Sequence, residues 1–143
     1  MKAREIMTKN PVVCTPETGL QAVATMMCDT NCGEIPVVES MSNQTPVGVI
    51  TDRDITCRVV AKGLNPRELK AASCMSSPAL TVGQDTELQE CCEILEGHQI
   101  RRVPVVDKQG RCCGIVAQAD IVLRCPPDVA SEVVKEVSQP VVA

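Results

Sequence analysis

The chain contains no phenylalanine, tyrosine or tryptophan. Its core must be built from Val, Ile, Leu, Met, Ala and Cys, which pack densely but offer no ring for stacking. A planar ligand would have to be held between aliphatic side chains and by main-chain hydrogen bonds. Single-stranded nucleic acid, which favours aromatic platforms, is disfavoured for the same reason. A basic surplus is also missing. The chain has 14 Lys and Arg against 18 Asp and Glu, a net charge of −4, whereas a nucleic-acid partner selects a basic face. No apolar run approaches the roughly 18 residues that span a bilayer. The start, Met1-Lys-Ala-Arg-Glu-Ile-Met7, lacks the apolar stretch of a signal peptide. A cytoplasmic protein with neither a nucleic-acid nor a membrane partner is expected.

Histidine is nearly absent: His98 stands alone. With one His there is no Ser-His-Asp or Cys-His set, and no strand-GxxxxGK[ST] phosphate loop occurs either. The chain is expected not to be an enzyme and to carry no catalytic cofactor. Ten cysteines are present, including the pairs Cys91-Cys92 and Cys112-Cys113, yet none form Cys-x-x-Cys. Zinc spacing cannot be assembled from them, so no metal is expected. Free cysteine is a small hydrophobe, and a chain without aromatics needs such filler.

The chain repeats itself. Thr18-Gly-Leu-Gln21, Glu34-Ile-Pro-Val-Val38 and Gly48-Val-Ile-Thr-Asp-Arg-Asp-Ile55 form one pass. Thr86-Glu-Leu-Gln89, Arg102-Val-Pro-Val-Val106 and Gly114-Ile-Val-Ala-Gln-Ala-Asp-Ile121 form the other. Early positions correspond at a spacing of 68, later ones at 66, because the loop after the Pro-Val-Val run is two residues shorter in the second copy. A duplicated unit folds as two similar halves, and small molecules favour the place where halves meet. The divisions expected are a first repeat over 1–63, a connector over 64–73, a second repeat over 74–125 and a helical tail over 126–143.

Each copy reads strand, helix, strand, strand, helix. Val12–Thr15 and Ala79–Val82 are short β-rich runs that suit opening strands. Thr18 with Gln21, and Thr86 with Gln89, have capping-box spacing. Gly33 and Gly97 are the expected helix stops. The runs Ile35–Val38 and Val103–Val106 suit buried strands, with Pro36 and Pro104 at strand starts or edges. Helices are expected over Asp52–Lys62 and Gln118–Arg124, and Val129, Val133, Val134 and Val137 outline a last amphipathic helix.

These segments resemble a known family. Ile6-Met7-Thr8 with Pro11-Val12-Val13, the two Pro-Val-Val strands, and the two glycine-to-aspartate segments are similar, in order and twice over, to the CBS domain. Two in tandem resemble a Bateman module, and the likeness covers residues 4 to 124. It implies an α+β fold of two β-α-β-β-α repeats packed with pseudo-twofold symmetry. It implies an adenosine-type ligand (AMP, ATP, NAD or S-adenosylmethionine) in clefts between the repeats, and a homodimer. In the family the module regulates a partner, so a protein target, unidentified from sequence, is implied as well.

The resemblance also assigns roles. In the family's pattern the aspartate accepts both ribose hydroxyls and the Thr or Ser hydroxyl reaches phosphate, which implies those roles for Asp54 and Thr51. A carboxylate suits this task because it can accept two hydroxyl donors. In the second copy Asp120 is kept, but Ala117 replaces the hydroxyl. Arg101 and Arg102 occupy the place from which the family supplies phosphate-neutralising groups to the opposite site. The first copy has Gly33 and Glu34 there, so Glu34 would repel a phosphate at the Asp120 site, partly offset by Arg53. Val13, Ile35, Pro36 and Val103 are candidates for an apolar clamp on the base. The two sites are expected to be unequal. Two other readings stand beside the sensor: an interaction scaffold with a vestigial nucleotide cleft, and a thiol redox sensor.

Overall fold

Hydrogen bonds repeat along the chain with the sequence. Thr15 N–H donates to Thr18 Oγ1 at 3.0 Å, and Gly83 N–H donates to Thr86 Oγ1 at 3.0 Å. Cys14 pairs in parallel with Val37, and Val82 pairs in parallel with Val105. Val49 pairs antiparallel with Ser76, as Ile115 does with Thr8. All of these partners correspond at the 68 and 66 spacings. The computed structural model describes residues 1–140; residues 141–143 of the expected tail lie outside the described part.

The chain forms two compact units. Residues 11–80 with 110–112 make one, and 1–10, 81–109 and 113–143 make the other. Each unit therefore joins the body of one repeat to the segment that leads into the other repeat.

In the 11–80 unit, helix α2 (Leu20–Thr30) covers the hairpin of β2 (Glu34–Val38) and β3 (Pro46–Thr51). Leu20 and Val23 of α2 join Ile35, Val37 and Ile50 of the hairpin in a dry core. Burying each such side chain contributes about 1.5–3 kcal/mol. Cys14 and Cys74 are packed among them, as cysteine used for filling should be. After β3 come α3 (Asp52–Ile55), a π-helical turn (Thr56–Val60) and a 3-10 turn (Pro66–Glu68).

In the other unit, α1 (Ala3–Ile6) and β1 (Thr8–Lys9) join β4 (Val82–Gly83), α5 (Leu88–His98), β5 (Arg102–Val106), β6 (Cys112–Ala117), α6 (Gln118–Arg124) and α7 (Pro127–Val137). Its sheet runs β1-β6-β5-β4. The equivalent ladder in the first unit is the same, but its outer members, Ser76 and Cys14, are single-residue bridges. The short helix α4 (Ala71–Cys74) belongs to the first unit and corresponds to α1.

Several local expectations are corrected. The opening strands shrink to the Cys14 bridge and to Val82–Gly83. Thr18 and Thr86 do not cap the helices; their hydroxyls face back and close the preceding turn. The helix starts are covered by backbone instead, Leu20 N–H on the Leu69 carbonyl and Leu88 N–H on that of Met1, at 2.9 and 2.8 Å. The helices end not at Gly33 and Gly97 but on Asn31 and Gln99, both left-handed at φ 50° and 51°. Pro36 lies inside β2 and not at its start, but β2 is an edge strand of a two-stranded sheet, the other place expected. Opposite it, Val49 turns its N–H and carbonyl to Ser76, and the Pro36 carbonyl takes the Cys14 N–H. The proline nitrogen therefore faces away from β3, and no donor to that ladder is lost.

Candidate functional site

Strand β3 ends where Thr51 becomes the N-cap of α3. Thr51 Oγ1 accepts the Asp54 N–H at 3.0 Å, and Asp54 Oδ2 accepts the Thr51 N–H at 3.0 Å. This reciprocal pair is a capping box, and it fixes both side chains by backbone geometry alone. A hydroxyl has one donor and two acceptor sites. Thr51 uses it as an acceptor and donates to no protein group among the described residues. The ordinary carboxylate has about four lone-pair sites, of which the Thr51 N–H takes one. The pair is thus oriented and still has hydrogen-bonding capacity left.

Gly48 is what lets the chain approach this closely. A Cβ there would lie 2.7 Å from the Ser76 carbonyl oxygen and 3.1 Å from Met75 Sδ. The segment through Ser76 runs beside β3, with Val49 N–H on Ser76 O at 2.9 Å and Ser76 N–H on Val49 O at 2.8 Å. From there Ser76 Oγ reaches Asp54 Oδ1 and Oδ2 at 3.4 and 3.5 Å. Arg58, on the π turn, places Nε 3.8 Å from Asp54 Oδ1 and donates from Nη1 to the carbonyls of Cys74 and Met75 at 3.1 and 3.0 Å. Asp54 is only 13% exposed. Sequence reasoning named neither Ser76 nor Arg58. Their one signal was the spacing that aligns them with Thr8 and Arg124.

The second copy builds half of this. The Ala117 N–H donates to Asp120 Oδ2 at 2.8 Å, but Ala117 returns nothing to Asp120 N–H. Arg124 donates instead to the Glu5 carbonyl at 3.3 Å, and Asp120 has no ion pair among the described residues. Gly114 plays the part of Gly48: a Cβ there would lie 3.0 Å from the Thr8 carbonyl oxygen.

The remaining candidates fall on either unit. Ile35 and buried Pro36 lie on β2, Ile35 within the core. Val13 packs with Val38 and Cys112. Val103 is a core member of β5, Arg102 is half-buried at that strand's start, and Arg101 beside it is exposed. At the place equivalent to Arg102, Glu34 is buried at the start of β2. Arg53 is exposed on α3. At Gly33, equivalent to Arg101, a Cβ would lie 2.8 Å from Asp52 Oδ2. The first copy is therefore acidic where the second is basic. His98 sits exposed in the last turn of α5, where a cation would complement the helix dipole.

Burial pushes the Cys14 thiol from the ordinary 9.0 to about 12, with Cys74 nearby adding to it. It pushes Cys91 and Cys92 to about 11, with acidic neighbours (Glu90, and Glu96 with Glu93, respectively) contributing. Such thiols are poor nucleophiles and poor metal ligands at neutral pH.

Comparison with known proteins now adds to this geometry. The family model for the CBS domain matches twice, over residues 3–60 and 69–126. Hypoxic response protein 1 of Mycobacterium tuberculosis is 31% identical over 138 residues, 96% of this chain and 94% of that one. An uncharacterized protein of Methanopyrus kandleri, MK0525, is 33% identical over 95% of this chain, which spans 65% of that protein's length. Among solved structures, Hypoxic Response Protein I with two coordinated zinc ions has a TM-score of 0.79 at 32% identity, covering 88% of this chain and 100% of that one. Among the described residues, no group of three or more His, Cys, Asp or Glu side chains is placed to hold a metal ion. The CBS domain pair of MJ0100, in complex with 5′-methylthioadenosine and S-adenosyl-L-methionine, has a TM-score of 0.76 at 24% identity, over 86% of this chain and 94% of that one. CBSX2 in complex with AMP has a TM-score of 0.72 at 24% identity, over 85% and 93%. No described helix is long and apolar enough to cross a membrane. With two full matches in one chain, each carrying the glycine-to-aspartate segment, the protein belongs to the CBS-domain family as a tandem pair.

Proposed function

We propose that this CBS pair is a regulatory module, not an enzyme, that binds an adenosine-type ligand (AMP, ATP, NAD or S-adenosylmethionine) through Asp54 and Thr51. The observation that carries the reading is the Thr51–Asp54 box, which leaves a hydroxyl donor and carboxylate acceptors available side by side. A ribose diol is the complement of that carboxylate, and a phosphate is the complement of the hydroxyl. The ligands of CBSX2 and MJ0100 support the same class. Among the other candidates, Arg101 and Arg102 are cations suited to a phosphate, and Val13, Ile35, Pro36 and Val103 are apolar side chains suited to a base. Asp120, beside Ala117 where the first copy has a hydroxyl, would be the weaker acceptor.

Ligand binding in such a module acts by favouring one arrangement over another. The readout would be a homodimer or a regulated protein partner in the cytoplasm. Leu123, 82% exposed beside exposed Val122 on α6, is apolar surface that such a contact would cover.

The test is a thermal-shift and calorimetry panel of AMP, ATP, NAD and S-adenosylmethionine, with mass spectrometry of any co-purifying molecule. At a hundredfold excess over its Kd a ligand stabilises by about 2.7 kcal/mol. Asp54→Ala should remove most of that effect and Asp120→Ala little of it. No response to any of the four compounds would leave the scaffold reading in place.

A further inference from the structure

We propose that Arg58 is the positioning residue that makes the Asp54 site selective for a ribose diol, and that its absence from Asp120 makes the two sites unequal. This rests on the reading of Asp54 as the ribose acceptor given above.

Arg58 is held on both sides. Its Nη1 is fixed by the Cys74 and Met75 carbonyls at 3.1 and 3.0 Å, and its Nε lies 3.8 Å from Asp54 Oδ1. At 3.8 Å the guanidinium attracts the carboxylate without taking a hydrogen-bond site from it. The Ser76 hydroxyl, at 3.4 and 3.5 Å, is likewise too far to occupy a lone pair firmly. Asp54 is thereby steered by three groups, Thr51 N–H, Arg58 and Ser76, of which only the first consumes an acceptor site. Two neighbouring hydroxyls need two acceptor directions held in place. A carboxylate already oriented loses less freedom when they bind.

The second copy supplies an internal comparison. Arg124 is the equivalent arginine, yet it is turned to the Glu5 carbonyl at 3.3 Å, and Thr8, the equivalent of Ser76, is exposed. The first copy follows α3 with a π turn, whereas α6 runs as a regular helix up to Arg124. π turns are uncommon and concentrate at functional sites. Here the turn carries the arginine that reaches both the aspartate and the carbonyls of residues 74 and 75.

The experiment is competition calorimetry. Adenosine and 2′-deoxyadenosine are used to displace whichever panel compound the wild-type chain binds. Wild type should prefer adenosine by at least about tenfold, the worth of one charge-assisted hydrogen bond. Arg58→Met should bring the preference to within about threefold, with Ser76→Ala lowering it less, while Arg124→Met leaves it as in wild type. Ser76→Ala keeps the test open if Arg58→Met fails to fold. A wild-type preference retained in both Arg58→Met and Ser76→Ala overturns the positioning role while leaving the ligand reading intact. If no panel compound binds wild type, or Asp54→Ala binds as well, the ligand reading itself falls and takes the inference with it.

Discussion

Thr51 and Asp54 each accept the other's main-chain N–H at 3.0 Å, so the first site is held by its own helix cap. The second copy keeps the aspartate and has lost the hydroxyl, which leaves the Asp120 N–H without a side-chain acceptor.

Ala117→Thr should therefore stabilise the protein. Ala117 already has the extended backbone of an N-cap, φ −113° and ψ 155°, and an Ala-to-Thr cap contributes about 1 kcal/mol. Thr51→Ala should cost about the same. Urea unfolding of both variants checks this; equal stability of Ala117→Thr and wild type would contradict it.

Gly48→Ala should be far more damaging than Gly33→Ala. The Gly48 Cβ meets a main-chain oxygen at 2.7 Å, and backbone cannot swing aside. A cost of about 1–3 kcal/mol is expected. The Gly33 Cβ meets the end of the exposed Asp52 side chain, which can rotate away. Thermal unfolding of the two variants should separate by several degrees, and similar melting temperatures would refute the backbone clash.

Alkaline pH should unfold the protein through its buried thiols. Cys14 is raised to about 12 and Cys91 and Cys92 to about 11, all from 9.0. A raised folded-state value means the contribution is complete below pH 9 and is lost as pH climbs through 11 to 12. Each thiol adds a slope of at most about 1.4 kcal/mol per pH unit in that window. Denaturant midpoints from pH 8 to 11, with Cys14→Ala as comparison, measure the slope; a flat profile would count against it.

Glu96→Gln should stabilise the chain at pH 7. Burial raises the Glu96 carboxyl above its ordinary 4.5, and Glu132, Glu136 and Glu93 add to this. Its favourable contribution is complete below pH 4.5 and lost as pH rises, so the charged form is a burden at neutrality. Removing it should gain about 0.2–0.5 kcal/mol, because solvent screens a partly exposed carboxylate, and the gain should vanish near pH 4. A Glu96→Gln variant no more stable than wild type at pH 7 would refute the repulsion.

What was legible in the sequence was whatever lay within a few residues. Thr51 and Asp54 are three apart, and the repeat fixed the order of strands and helices around them. Ser76 was hard to find because its contact to Asp54 spans 22 residues; Arg58 lies only four residues from Asp54, but the Cys74 and Met75 carbonyls that fix it lie 16 and 17 residues away. The misplaced caps have the same cause. Thr18 and Thr86 look free to cap, but the N–H groups of Leu20 and Leu88 are taken by carbonyls of Leu69 and Met1, distant in sequence. Gly97 resembled a stop, yet the helix continues to His98 and turns left-handed on Gln99, with the Ile100 N–H closing on the Leu95 carbonyl.

The grouping of residues 1–10 with 81–109 and 113–143 has a consequence for synthesis on the ribosome. Ala3, Ile6 and Met7 leave the exit tunnel before residues 11–80, yet other members of their core, such as Leu95, Val116 and Val133, leave after them. The unit over 11–80 needs only residues 110–112 to be complete. The expected order is therefore 11–80 first, with 1–10 waiting for the segments beyond residue 112. Proteolysis of chains stalled once residue 112 has left the tunnel should find 11–80 protected and 1–10 cut, and protection of 1–10 at that stage would refute it.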